Sequence, residues 1–517
     1  MSTPVLANAR KSTTLEDFGR SDTPRAWHPF ERRFELSTDA ISQEATTLGW
    51  DTTFAIRLPD VNKALAKSGT YPKDFDLVID PDDNYSVKGT FGLWQIARGG
   101  DGGIVFMSTP IVDGQTTNGS KSYSMKGATV YISVKLKYIP GKPSGGVADG
   151  QKELEPVDLR TDSESRSAED LAVIVQNMTF DGPPPSILVQ ALMKGGMQEW
   201  FLKNLARFAY VFATVNLNEI AAQGEFQWLK PTYTSYAYRE PEDSRTPDTD
   251  CLFGVLNMTS DSSPEGLSKQ LAPNAISAGQ RAGLSISMER FLSNVILPGI
   301  SKGFEGATTY DFTLSSDKSM LVNTKALKMA PVRVGLIDYT PYVQTFELQV
   351  KGEEIQIHTR TSIDISPGIV AWVDTISYQK IVLVTKSDGQ QTLDFKESRP
   401  SVKNQWIDKA AWVTITEIIV SIVGAVAALV AGNVIVAIIP RVIAIIIILI
   451  VAGLAAATPA LIALVAGGGA ASALPAITLM VANASTPVKW PDSKAFTLTS
   501  AGLNGAFQLG GDPNFAF

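Results

Sequence analysis

The chain has 517 residues with 45 basic and 52 acidic side chains, and its formal net charge of −7 argues against a nucleic-acid phosphate backbone as main partner. A single cysteine, Cys251, excludes an intramolecular disulfide and a CxxC metal or redox site. Two histidines, His28 and His358, are too few for a His-based zinc cluster, so no metal or cofactor is expected.

Residues 1–45 are polar, with Ser, Thr, Asp and Arg throughout, and read as an arm with little chemistry of its own. They hold no apolar run of the about seven to fifteen residues that a secretory signal needs. Synthesis in the cytoplasm is expected, with any release by a non-classical route.

From about Thr46 the pattern is mainly β. Asp80 begins "DPDDN", which opens like a calcium loop; the sixth position is Tyr85 instead of Gly and the twelfth is Phe91 instead of a bidentate Glu. A turn between "FDLVI" and "YSVKG" is the better reading. "GGDGG" at residues 99–103 lacks a following G-K-[ST] and reads as a hairpin turn between "LWQIA" and "IVFMS". "TVYISVKLKYIP" puts Val130, Ile132, Val134, Leu136 and Tyr138 on one strand face and Tyr131, Ser133, Lys135 and Lys137 on the other. Residues 141–166, rich in Gly, Pro, Asp and Ser, read as a long loop.

Helical spacing follows from Ile187, shifting near Tyr210 to a β-like run. It recurs from Ile276 through "SAGQRAGLSISMERFLSNVIL" until Pro298, the expected stop. "GISKG" fits the G-x-S-x-G nucleophile elbow around Ser301, a motif that requires a strand entering a sharp turn before a helix and a converging His and acid. A plain Gly/Ser loop fits better, and no catalytic constellation emerges. "FELQVKGEEIQIHTRTSIDI" then gives two alternating strands, Phe346, Leu348 and Val350 before a turn at Gly352, and Ile355 and Ile357 after it, each apolar on one side only.

Residues 412–482 carry only two charges, Glu417 and Arg441. Two or three helical passes are expected, broken near Pro440, Pro459 and Gly467, although "VIAIIIILIV" also suits a strand. Residues 413–439 and 441–465 are each long enough to cross a hydrocarbon core of ~30 Å. Against that, Lys409, Arg441 and Lys489 are isolated basic residues, aromatics do not bracket both ends, and Glu417 lies inside the first pass. Burial within the fold is the preferred reading. Trp50, Trp94, Trp200, Trp228, Trp372, Trp406, Trp412 and Trp490 either line an apolar cavity or sit in the core, and large aromatics are mostly core.

Several blocks are more specific in combination. They are "GWDTTFAIRLPDVNKAL" from Gly49, "GTFGLWQIARGGDGGIVFMSTPI" from Gly89, "FAYVFATVNLNEI" from Phe208, "WLKPTYTSYAY" from Trp228, "FGVLNMT" from Phe253 and "FTLTSAGLNGAFQLGG" from Phe496. In this order they resemble the forty-seven-kilodalton accessory-protein family encoded beside clostridial neurotoxin genes in OrfX-type clusters. The resemblance runs from about Thr46 to the C-terminus and carries no catalytic, metal or ligand-binding residue over.

What it implies is an α+β, mainly β fold of the tubular lipid-binding (TULIP) type, with strongly curved antiparallel sheets wrapped around long apolar helices. The expected division is the arm 1–45, a first half 46–250, and a second half 251–517 that includes the apolar region 413–482. The implied function is non-enzymatic binding of lipid or another apolar ligand by an accessory component of a bacterial toxin system. Implied partners are that ligand, a membrane surface, and the toxin or accessory proteins of the same cluster; nucleic acid is not among them. Two other readings stay open: a membrane-inserting, pore-forming-like toxin component that uses 413–482, and a module that binds a co-encoded protein without lipid.

Overall fold

Period-two alternation dominates the chain, and antiparallel sheet is its consequence. The computed structural model describes residues 44–68, 71–101, 104–140, 157–161, 173–204, 213–215, 228, 231–241, 250–259, 262–334, 336–385, 391–409, 488–489 and 493–515. The arm up to residue 43 and the apolar run 413–482, with its expected helices, lie outside these residues. Among the described residues the strands form sheets of ten, seven and six strands and a separate two-stranded hairpin. The mainly β expectation holds.

The six-stranded sheet joins distant parts of the chain. Thr52–Arg57 pairs with Leu252–Thr259 on one side and Ala282–Ile286 on the other, and the hairpin of Ser493–Leu503 and Phe507–Phe515 extends the latter edge. Leu252–Thr259 is buried at every position, as expected for a strand covered on both faces. At the end of this sheet the buried Asp51 carboxylate accepts the Thr259 N–H at 2.7 Å and the Arg290 Nε–H at 2.9 Å. A buried ion pair with its remaining valences filled locks three segments in one register.

The ten-stranded sheet carries the helix Ile187–Lys203 on one face. Its side chains fill the interior: the Phe91 and Trp200 rings lie 5.2 Å apart, Phe75 and Phe91 4.8 Å, and Trp200 and Phe201 5.1 Å. Gly196 lets the helix approach, because a Cβ there would stand 2.4 Å from Val87 Cγ1. Helix propensity alone predicts that Gly196→Ala stabilises by about 1 kcal/mol. The packing reverses the sign: a loss of about 1–3 kcal/mol is expected in chemical denaturation, and a gain would show that the helix stands off the sheet.

In the seven-stranded sheet, Pro341–Lys351 and Glu354–Ser366 form the expected hairpin, with Lys351 opposite Glu354 and Gly352 at φ 55°. Ile369–Thr385 and Gln391–Lys409, of 17 and 19 residues, then continue it. At ~3.3 Å per residue these exceed 50 Å. Register shifts near Ile376 and Tyr378 interrupt the pairing, and such bulges bend and twist long strands. A contiguous core runs from Phe54 and Trp94 through Phe253 and Phe291 to Phe346 and Leu509.

Four local expectations need correction. Val157–Thr161, inside the expected loop 141–166, is a strand paired to Leu136–Pro140. The segment from Ile276 is not helical at first: Ala282–Ile286 is a strand whose two neighbours override its helical spacing. The helix begins at Met288, where the Ser287 hydroxyl accepts the Arg290 N–H, and widens into a π turn over Phe291–Ile296. Pro298 does not stop it, since Leu297–Ile300 remains helical directly after the π turn. Finally, Glu354–Ser366 is not greasy on one side and solvated on the other, because Gln356, His358 and Ser362 on its polar face are also buried.

Candidate functional site

The motifs with a chemical reading resolve into structural parts. Ser301 opens a 3₁₀ turn at the end of a helical segment, so the strand-to-helix elbow is absent there. Asp80 Oδ1 accepts the Asp82 and Asp83 N–H groups at 2.9 and 3.2 Å, making a turn instead of a cation loop. Gly99 has φ 106°, and Asp101 pairs with Ile104 across the expected hairpin. Trp50, Trp94, Trp200 and Trp228 are buried. Trp412 and Trp490 lie outside the described residues. No group of His, Cys, Asp and Glu suited to a metal ion occurs among the described residues.

A polar column on the seven-stranded sheet was not anticipated. His358 is sandwiched between strands, with Nδ1 2.8 Å from Glu347 Oε2 and Nε2 3.3 Å from Asp374 Oδ1. Asp374, wholly buried, also accepts from Arg360 Nη2 at 3.0 Å. The Arg360 guanidinium sits 5.8 Å from the Trp406 ring centre, and Trp406 stacks on Trp372 at 5.9 Å with 4° between planes. Trp372 Nε1 donates to Asp408 at 2.8 Å. These two indoles, unlike the four buried ones, are partly exposed.

Carboxylates at both ring nitrogens of His358 require an N–H on each, so the imidazolium is the form that satisfies them. Burial opposes the charge, but the hydrogen bonds to Asp374 and Glu347 and their negative charges outweigh it and raise the pKa above 6.5. With the folded pKa above the unfolded one, this group stabilises fully below about pH 6.5 and its contribution fades as pH rises through the folded value. Scanning calorimetry at stepped pH should show that component of stability falling on the alkaline side, and His358→Gln should remove the dependence. An unchanged profile in His358→Gln would show that the imidazole does not carry the proton.

A concave surface lies on the ten-stranded sheet. A cavity of about 870 Å³ is walled by Asp74, Asp76 and Asp113, with Lys88, Gln115 and Ser124. The register explains the grouping: Asp74, Thr90 and Asp113 lie in one cross-strand row, and Asp76, Lys88 and Gln115 in the next. Lys88 Nζ pairs with Asp76 at 2.9 Å. No single stretch of sequence announces this trough, because its walls come from four strands.

The family model described as "OrfX-like: Protein OrfX2/OrfX3/P47" matches residues 47–511. Protein OrfX3 of Clostridium botulinum (strain Kyoto / Type A2) is 29% identical over 424 residues, 75% of this chain and 84% of that protein. Protein OrfX3 of Paraclostridium bifermentans is 28% identical over 423 residues, 76% and 84% of the two chains. Among solved structures, P47 from Clostridium botulinum A2 superposes with a TM-score of 0.64 at 18% identity, covering 91% of this chain and 98% of that one. That likeness concerns the fold.

Proposed function

The chain belongs to the OrfX-like family of accessory proteins from botulinum toxin gene clusters, and on that premise we propose that it is a non-enzymatic protein that binds lipid or another apolar ligand. What supports this reading is the sequence of the apolar run together with the points at which the described chain leaves off and resumes around it. Residues 413–482 depart from the end of the long, bulged strand Gln391–Lys409 in one sheet, and the chain re-enters at Val488–Lys489 in another. In the TULIP arrangement, which the family resemblance implies, a curved antiparallel sheet wraps an apolar helix and acyl chains lie in the seam. The space under the helix Ile187–Lys203 is filled by Phe91, Trp94, Trp200 and Phe201, so the ligand belongs beside the apolar run. Burial of ~0.8 kcal/mol per CH₂ would hold an acyl chain there without chemistry. Among the described residues no helix is long and apolar enough to cross a membrane.

Ile446→Asp tests the role of the run, since an unpaired buried carboxylate costs several kcal/mol. The expected result is loss of the cooperative thermal transition together with loss of fluorescent fatty-acid binding. A variant as heat-resistant as the parent that has lost only attachment to liposomes would instead make 413–482 a membrane-insertion element.

A further inference from the structure

The face of the seven-stranded sheet that holds the polar column ends in a group of aromatic, apolar and acidic side chains. Trp372 lies between Ser362 and Trp406 in one cross-strand row, and in the next row toward the Gly368 turn Val370 lies between Asp364 and Asp408. Residues two apart on a strand share a face, so both indoles, Val370 and both carboxylates stand on the same side of the sheet. Asp364 and Asp408 are exposed, while Val370, Trp372 and Trp406 are half-buried. Two strand spacings set the carboxylates about 10 Å apart, with Val370 as an apolar floor between them.

Their neighbours hold the parts in place. The Trp406 ring lies parallel to that of Trp372, 5.9 Å away with 4° between planes, and the Arg360 guanidinium is 5.8 Å from the Trp406 centre. Trp372 Nε1 donates to Asp408 at 2.8 Å, which fixes that carboxylate at the edge of the ring. The two cations of the column are already matched, Arg360 by Asp374 and His358 by Glu347 and Asp374. Among the described residues neither Asp364 nor Asp408 forms an ion pair, so this end of the face carries two negative charges in excess.

We infer that this recess binds a quaternary ammonium group, as in choline, with its methyls against Trp372 and Val370 and its charge between Asp364 and Asp408. The indole face attracts a cation through the ring quadrupole, most strongly when the cation sheds its water. A trimethylammonium group is weakly hydrated and donates no hydrogen bond, so it needs a negative field and apolar walls instead of further acceptors. A lysine ammonium is compact and strongly hydrated, with three N–H donors to satisfy, and fits less well. The two carboxylates disfavour an anionic ligand. The site uses no residue of 413–482, so it adds a headgroup position to the function proposed above without depending on it.

Choline is the probe, titrated into the full chain by isothermal titration calorimetry at low salt. Saturable binding to a single site is expected. The neutral tert-butyl isostere dimethylbutanol, in which carbon replaces the charged nitrogen, should bind at least tenfold more weakly, as should an acetylated and amidated lysine. Asp364→Asn combined with Asp408→Asn keeps both side-chain shapes and should weaken choline at least tenfold with the thermal midpoint retained. No binding of choline, or equal binding of the isostere or of the lysine derivative, would overturn the assignment to a quaternary ammonium. Unaltered affinity in the double variant would overturn the assignment of the site. Vesicles of phosphatidylcholine and of phosphatidylglycerol separate the sources. Retention on the former alone, displaced by free choline, supports a lipid headgroup, and choline binding without retention on either supports a free trimethylammonium compound. Choline binding by a protein that takes up no acyl chain would uphold this site and remove the function proposed above. Because the isostere comparison uses the unaltered protein, an unstable variant leaves the test intact.

Discussion

Asp374→Ala is expected to destabilise the protein by about 3–5 kcal/mol, the range for removing one partner of a buried ion pair. Asp374 is wholly buried and receives hydrogen bonds from both His358 and Arg360. Its removal takes one carboxylate from an imidazolium of 4% exposure that also meets Glu347, and frees Arg360 from the position that holds it near Trp406. Asp374→Asn keeps the shape and one acceptor but loses the charge, so it should fall between parent and alanine. Guanidinium denaturation at pH 6 measures both. A loss under 1 kcal/mol in Asp374→Ala would mean that the column is solvated and that its charges are worth no more than a surface pair.

A comparable loss, about 3–5 kcal/mol, is expected for Trp200→Ala. The indole is fully buried and meets Phe75, Phe91 and Phe201 at ring distances of 6.4, 5.2 and 5.1 Å. It is the anchor by which the helix Ile187–Lys203 holds the ten-stranded sheet. Against a total stability of about 5–15 kcal/mol, either substitution consumes a large fraction. Trp200→Phe should recover part of the loss, because it restores an aromatic face while leaving a smaller void. If instead Trp200→Ala binds small apolar probes without loss of stability, the interior under the helix is a working cavity and not a filled core.

Much of the sheet structure was legible because alternation and turn residues are local signals. Val130, Ile132 and Val134 were read as one buried face and are buried. The Gly352 turn even contains the polar column in latent form: counting back from Lys351 and forward from Glu354 places Glu347 opposite His358. The next turn, near Gly368, does not do the same: a bulge between Asp364 and Ser366 shifts the pairing by one residue, and only with that shift does Asp374 stand opposite Arg360. What alternation could not show was which polar face becomes buried, since that depends on what packs over the sheet. Ala282–Ile286 was misread for the same reason: two distant strands decide its state, and its own residues fit a helix. The acidic trough needed three strands in register before its aspartates became neighbours. The Trp residues illustrate both outcomes, with Trp94 hidden in the core and Trp372 laid against Trp406 at the sheet surface.

The central claim is that the protein carries an apolar ligand, and native mass spectrometry of the full chain purified without detergent tests it most directly. The account predicts a soluble protein with discrete added masses that fragment to lipids. A chain recovered only from membranes or in detergent, or a soluble one whose mass matches the polypeptide alone after exposure to phospholipid, would contradict it.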